Sequence, residues 1–363
     1  MAGKIQTFVR TVRGLTEDER LSAFEDPHEL LSFAPCKLKT YRENPYLKDL
    51  DQPCQLIGVK DGRVIGRRNS FPSRIVADGI VYDTRISGSV YVDPAARSSL
   101  YAISLLNQAL KFPDGDLNIN CYLSVQNQKF YRLFGSAMFR FLVFEAGGRW
   151  SLLYRRGSYV FWKCAVIKFI NFLVAVANHF FDISRWRGGG DWHVEEVDID
   201  NIDAISDYCE MVKADMHKYR QEITPEWIRW TVSNDFYAND CRKYILRICD
   251  GKETVGFALI RKGLKTKTIR IYEWQISNKY QGQTAEFLSL VAKTAYGFGY
   301  KVQIPIAEDN IAAIMKLKER FIRSESNYVV VTIAKGSRFE TFSGIRESKN
   351  WRVRPGMGDA SLW

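Results

Sequence analysis

With 363 residues, 46% of them hydrophobic, the chain is long enough for two ordinary domains, each burying its own core. Its net charge of +11 favours anionic partners, among them nucleic acids, lipid head groups and nucleotide-linked substrates, without choosing between them. Seven scattered cysteines with no C-x-x-C pair, an N-terminus without a secretory pattern, and a longest apolar run (Ala165 to Phe181) broken by Lys168, Asn171, Asn178 and His179 make a cytoplasmic protein the expectation.

The first predicted element is a hairpin over Cys54-Gln-Leu-Ile-Gly-Val-Lys-Asp-Gly-Arg-Val-Ile-Gly66, closed by an Asp-Gly pair that tolerates positive φ between β-forming flanks. An extended stretch (Tyr82 to Val92) and a polar loop lead into a helix over Ser98 to Leu110, with apolar positions three or four apart. A strand (Asp116 to Val125), a short helix (Gln128 to Phe134) and a closing strand (Ala137 to Glu145) follow.

The segment from Arg149 to Gly190 carries seven Lys or Arg against one acidic residue, Asp182, and ends in a triple glycine that breaks the chain. Its aromatic and aliphatic bulk between basic flanks has two readings. One is peripheral contact with an anionic membrane through 159–187; the other is a bridging helix buried between domains.

After a strand at Trp192 to Ile199, the opening order returns. A hairpin spans Tyr244-Ile-Leu-Arg-Ile-Cys-Asp-Gly-Lys-Glu-Thr-Val-Gly256, and an extended stretch covers Thr268 to Ile276. Then come a helix (Thr284 to Phe298), a strand (Lys301 to Ala307), a short helix (Ile311 to Phe321) and a closing strand (Tyr328 to Ala334). The order hairpin, strand, helix, strand, helix, strand thus occurs twice, at an offset of roughly 190 residues. The expectation is a duplicated α/β (α+β mixed sheet) domain at 1–150 and 191–363, joined by 151–190. Each sheet should be antiparallel at its start with one parallel crossover.

In this order, and in Val90-Tyr-Val-Asp-Pro-Ala-Ala-Arg-Ser-Ser-Leu-Tyr-Ala102, the first half resembles the GNAT acetyltransferase superfamily, whose cofactor loop reads Arg/Gln-x-x-Gly-x-Gly/Ala. Arg97 and Ala102 match, and Leu100 stands where glycine is usual. Phe130-Tyr-Arg-Leu-Phe-Gly-Ser136 is similar to the family's Tyr-x-x-x-Gly-Phe element, with Ser136 in place of Phe. The resemblance implies two tandem acyl-CoA N-acyltransferase (GNAT-like) domains using acetyl-CoA or another acyl-CoA; an acyl carrier protein thioester is the other donor in view.

It assigns the phosphates to the amides of Ser98, Ser99, Leu100, Tyr101 and Ala102, where a helix start favours negative charge. Arg97 is then either a phosphate contact or a solvated charge. Strand amides around Val90 to Val92 would polarise the thioester carbonyl. Asn127 would hold the pantetheine arm or merely cap a helix. Tyr131 either protonates the departing thiolate or covers a helix–sheet seam. Asp83 and Asp93 are the carboxylates available as base, and spacing singles out neither.

The second half matches with Gln281 in the arginine position, but Thr284 and Glu286 replace small residues, so it is read as a brace or acceptor-site domain. Arg220-Gln-Glu-Ile-Thr-Pro-Glu-Trp-Ile-Arg-Trp230 and Asn350-Trp-Arg-Val-Arg-Pro-Gly-Met-Gly-Asp359 are similar to segments of tandem acetyltransferase-like proteins of bacterial polysaccharide and cell-envelope biosynthesis. That likeness implies acyl transfer to an amine or hydroxyl of a sugar or envelope precursor. The alternatives are aminoacyl transfer from tRNA, with nucleic acid then a partner, and a degenerate pair that binds without catalysis. No metal is expected: His28, His179, His193 and His217 show no ligand spacing with the cysteines, and no P-loop or Gly-x-Ser-x-Gly elbow is present.

Overall fold

The computed structural model describes residues 5–96, 101–120, 131–132, 135–146, 191–234, 241–263, 268–296, 301–320 and 322–354, with six positions between 166 and 176. In chain order these form β1 (Gln6–Thr11), α1 (Gly14–Glu17), α2 (Pro35–Arg42), β2 (Pro53–Lys60), β3 (Arg63–Ala77), β4 (Ile80–Val92), α3 (Tyr101–Ala109), β5 (Leu117–Asn120) and β6 (Ala137–Ala146). Then come β7 (His193–Val197), α4 (Ile202–Lys213), β8 (Tyr219–Gln221), α5 (Pro225–Ser233), β9 (Cys241–Asp250), β10 (Glu253–Gly263) and β11 (Thr268–Ile276). The last are α6 (Thr284–Ala295), β12 (Lys301–Ala307), α7 (Ile311–Arg320) and β13 (Ile322–Ile333). The predicted order is present in the second repeat; in the first, the hairpin, strand, helix, strand and closing strand are present, and the short helix at Gln128 to Phe134 lies outside the described residues except at 131–132.

Turn chemistry sets the hairpins. Asp61 and Gly62 both take positive φ (51° and 74°), which suits the right-handed twist of β2 and β3. A second Asp-Gly turn, Asp78 and Gly79 at 50° and 80°, joins β3 to β4 in the same way; its signal in the sequence was overlooked. Between β9 and β10 the loop is Gly251-Lys252, one residue later than expected. Asp250 pairs with Glu253, and Gly251 alone has positive φ (59°), the pattern of a turn with glycine at its first position.

The chain divides into two compact units that do not follow its sequence halves. Unit 1 holds Met1–Phe139, Met216–Ala238 and Asn327–Trp363; unit 2 holds Arg140–Asp215 and Asn239–Ser326. In unit 1 the strand order is β1-β2-β3-β4-β5-β13, with β8 beside the far end of β3. Only β4 and β5 run parallel. In unit 2 the order is β7-β9-β10-β11-β12-β6, with β11 and β12 the parallel pair. The closing strands are therefore exchanged: β13, last in the second repeat, pairs with β5, and β6, last in the first, pairs with β12.

Each unit seats its central helix on glycine. Gly58 and Gly66 are cross-strand partners on β2 and β3, and the ring of Tyr101, first residue of α3, lies against both. Tyr101 packs there with Leu56, Val92 and Leu105. In unit 2, Gly256 meets Phe287 of α6 in the same manner, within a core that includes Trp274, Leu288 and Val291. Burying each such large apolar side chain contributes about 1.5–3 kcal/mol, so the helices are held by these faces.

Candidate functional site

The site begins where the parallel strands of unit 1 meet. Among the described residues β4 and β5 pair at Arg85↔Asn118 and Ile86↔Ile119; β5 is described to Asn120, and β4 continues along β3 to Val92. Between Arg67↔Tyr91 and Asn69↔Gly88, β4 carries one extra residue, a bulge opposite Arg68.

The side chains beside this pairing are polar. Arg68, 1% exposed, donates from Nε to Ser87 Oγ (3.3 Å) and from Nη2 to Asn120 Oδ1 (3.0 Å), so one guanidinium bridges β4 and β5 next to their paired residues. The Tyr131 hydroxyl donates to the same Asn120 oxygen at 3.3 Å. Ser70 Oγ, both side-chain heteroatoms of Asn118, Asn120 Nδ2 and Arg85 Nη2 are buried with no hydrogen-bond partner in the chain. Arg85 otherwise donates to the carbonyls of Pro53 (2.5 Å) and Pro113 (3.0 Å), and burial pushes its guanidinium down to about 10. Buried polar atoms without partners are uncommon in folded chains, and their concentration at one place marks a site.

The sequence-predicted residues that are described lie on β4, on α3 and in the helical turn at 131. Val92 and Tyr101 belong to one apolar cluster under α3, and burial raises the Tyr101 phenol well above its ordinary value. Tyr131, helical and 4% exposed, packs with Leu106 of α3 and Val330 of β13. Val90 is exposed on β4, and Ala102 lies in α3. Arg97, Ser98, Ser99, Leu100 and Asn127 lie outside the described residues.

Asp83 sits in the fully paired part of β4, bridged to Lys48 (3.1 Å) and Arg74 (2.9 Å). Burial pushes its carboxyl up, but the hydrogen bonds from Lys48 and Arg74 outweigh it and hold the group below the usual carboxylate range. Asp93, at the mouth, is held low chiefly by its hydrogen bond with His28 Nε2 (2.7 Å) and then by the Ala95 amide. Sequence reasoning missed His28, Arg68, Ser70, Ser87, Asn118 and Asn120. The last five had a signal: polar residues at alternating positions of strands otherwise rich in buried residues.

In unit 2 the parallel strands part to form a wedge, and the polarity is missing. β11 and β12 pair only from Thr268↔Lys301 to Arg270↔Gln303, and β11 also bulges, at Tyr272. The positions equivalent to Arg68, Ser70, Arg85, Ser87, Asn118 and Asn120 are Ala258, Ile260, Ile269, Ile271, Val302 and Ile304, all in the unit's apolar core. At its mouth, Tyr280 donates to Asp250 and Glu253 (3.2 and 3.1 Å), and Glu286 pairs with Lys316 (3.5 Å).

The fold also gathers His193, Glu195 and Cys249, whose ligand atoms lie within 4.8 Å of one another, a grouping that the sequence spacing did not suggest. Arg247 Nε lies 3.3 Å from both Cys249 Sγ and Glu195 Oε2, so a cation of the chain itself already occupies that corner. In the segment between the repeats, the described positions are helical, and Val166, Phe169, Ile170, Phe172 and Leu173 are exposed rather than buried. No helix among the described residues is long and apolar enough to cross a membrane.

No known family and no curated protein matches the sequence. Solved structures do match the fold. A GCN5-related N-acetyltransferase from Anabaena variabilis aligns with TM-score 0.54 at 12% identity, over 90% of this chain and 72% of that one. One from Kribbella flavida aligns with TM-score 0.51 at 11% identity, over 91% and 71%. Saccharomyces cerevisiae N-myristoyltransferase with bound myristoyl-CoA aligns with TM-score 0.52 at 9% identity, over 92% and 83%. At such identities the likeness is one of fold, and it spans most of the chain.

Proposed function

We propose that this chain, built on the acyl-CoA N-acyltransferase fold, moves an acyl group from a coenzyme A thioester to an amine or hydroxyl, with a wedge between β4 and β5 of unit 1, closed at Ile86 and Ile119 and of the kind that β11 and β12 form in unit 2, holding the donor. The observation that carries the reading is the cluster of buried polar atoms beside the parallel β4–β5 pair that the chain leaves unpartnered, at the register where the parallel strands of unit 2 part. These features fit a ligand arm lying between the strands. Its phosphates would rest on the amides opening α3, including those of Tyr101 and Ala102, and on the loop with Arg97, Ser98, Ser99 and Leu100. The donor, when bound, supplies an acyl carbon activated by sulfur.

The chain's own part is orientation and proton handling. The β4 edge from Val90 to Val92 offers backbone groups to the arm, and Asn127, outside the described residues, is the side chain we assign to it. The Tyr131 hydroxyl, the candidate donor to the departing thiolate, donates to Asn120 Oδ1 and would turn its proton from that oxygen to the sulfur. His28, held by Asp93 at the mouth, is better placed than Asp83 to take a proton from an incoming amine. Unit 2, its wedge filled by core, is the bracing domain.

For the acceptor we favour a sugar or cell-envelope precursor. The exposed Val166, Phe169, Ile170, Phe172 and Leu173, among basic residues, favour peripheral contact with an anionic membrane where a lipid-linked acceptor would be met. The test is calorimetry of the full chain with coenzyme A, acetyl-CoA and an acyl carrier protein, repeated on Arg97→Ala. Coenzyme A should bind at one site per chain, and the variant should bind at least fivefold more weakly. An absence of coenzyme A binding overturns the reading.

A further inference from the structure

We propose that the closed end of the unit 1 wedge recognises a carboxylate at the far end of the donor's acyl chain, so that the group transferred is a short dicarboxylic acyl group rather than acetyl or a fatty chain. The inference rests on the donor site proposed above and specifies its acyl group. An arm with its phosphates at the open end of the wedge points its acyl end at the closed end, where Arg68, Ser70, Ser87, Asn118 and Asn120 meet.

Donors outnumber acceptors at that end. Arg68 is buried, yet the described residues offer it only neutral acceptors, Ser87 Oγ and Asn120 Oδ1, and no carboxylate among them pairs with it. A buried guanidinium without a counter-charge is costly, and an anion that accepts its hydrogen bonds removes much of that cost. Beside it, Asn118 Nδ2, Asn120 Nδ2 and the Ser70 hydroxyl are buried donors with no partner, against one such acceptor, Asn118 Oδ1. A carboxylate, with two oxygens and about four acceptor sites, matches this set. An acetyl methyl would leave every one of these donors unmet, and an alkyl chain would set hydrocarbon against the cation.

The internal comparison shows that the fold does not require this polarity. At the same register unit 2 carries Ala258, Ile260, Ile271, Val302 and Ile304, and there β11 and β12 part after Arg270↔Gln303. The polar set is therefore not needed to hold two strands apart at this point.

The experiment is calorimetric titration of the full chain with coenzyme A, acetyl-CoA, succinyl-CoA, the methyl ester of succinyl-CoA and octanoyl-CoA. Succinyl-CoA should bind at least tenfold more tightly than acetyl-CoA and than its own neutral ester, which matches it in length. In Arg68→Gln that advantage should disappear while coenzyme A binds as before, and Arg68→Lys should restore part of it. Equal binding of succinyl-CoA and its ester by the unaltered chain, or tighter binding of octanoyl-CoA, overturns the carboxylate site and leaves the donor wedge standing. If coenzyme A itself does not bind, the donor reading falls and this inference falls with it.

Discussion

The two wedges share a register and differ in every side chain that matters at their closed ends. In unit 1 a guanidinium, two hydroxyls or amides on each side and several unmet donors lie beneath α3; in unit 2 alanine, isoleucine and valine fill the same places beneath α6. Parting of the parallel strands thus needs no polar side chains, as β11 and β12 show. What differs is whether the gap is completed by the chain's own core or left polar for something else. The mouths differ in the same sense, since unit 2 sets Glu253, Asp250 and Glu286 where an anion would have to come, each already bonded to Tyr280 or Lys316.

The hardest break falls on what the two units have in common. A Cβ at Gly58 would lie 1.3 Å from the Tyr101 hydroxyl oxygen and 2.1 Å from Cζ, while one at Gly256 would lie 2.4 Å from the Gln275 carbonyl and 2.8 Å from Phe287 Cε2. Gly58→Ala and Gly256→Ala should each cost about 3 kcal/mol, read as a lower midpoint of urea unfolding. Adding Tyr101→Ala should recover part of the first loss. Adding Phe287→Ala should not recover the second, because a backbone atom remains in the way.

Exchanging the apices sharpens the contrast further. Ile271→Ser or Ile304→Asn in unit 2 loses apolar burial and strands a polar group, for about 2–3 kcal/mol each by the same measurement. The reverse set in unit 1 (Arg68→Ala, Ser70→Ile, Ser87→Ile, Asn118→Val, Asn120→Ile) should keep or raise stability, since apolar replacement of buried charge is often neutral or favourable. It should also abolish thioester binding. A redesigned unit 1 that unfolds early would show the polar set to be structural.

Smaller effects test single groups. Tyr131→Phe removes one hydrogen bond, worth about 1 kcal/mol, and should leave coenzyme A affinity unchanged while slowing turnover by about 10²–10⁴-fold. Turnover within twofold of the unaltered chain would leave Tyr131 a seam residue. Asp83→Asn breaks a partly exposed, screened ion pair and should cost about 0.5 kcal/mol at pH 7. Because its folded pKa is depressed, that contribution is complete above the ordinary carboxylate value and is lost as pH falls through the lower folded one. The melting temperatures of variant and parent should therefore converge near the acid limit and not at the alkaline one.

Much of the architecture was legible from local rules. The Asp-Gly turn, the alternation of β-formers and the three-to-four spacing along α3 and α6 each act over a few residues, so the order of elements could be read twice over. The one-residue shift of the second hairpin turn was not, because Asp250-Gly251 and Gly251-Lys252 are both acceptable turns and cross-strand packing chose the latter. At the site, Tyr131 and the start of α3 were found through a motif, whereas Arg68, Ser87 and Asn120 sit on three different strands and have no motif to unite them.

The sequence alone thus determined the repeated α/β order, the hairpins and the faces of the helices, all of which follow from backbone preference and periodicity. Only the tertiary structure decided that β6 and β13 each complete the sheet of the other repeat, and that Asn120 meets a guanidinium 52 positions before it in the chain. Strand partners and buried hydrogen bonds are chosen by long-range closure of the chain, where any of several edges offers the same backbone ladder. Side-chain packing across the whole unit settles which edge is taken.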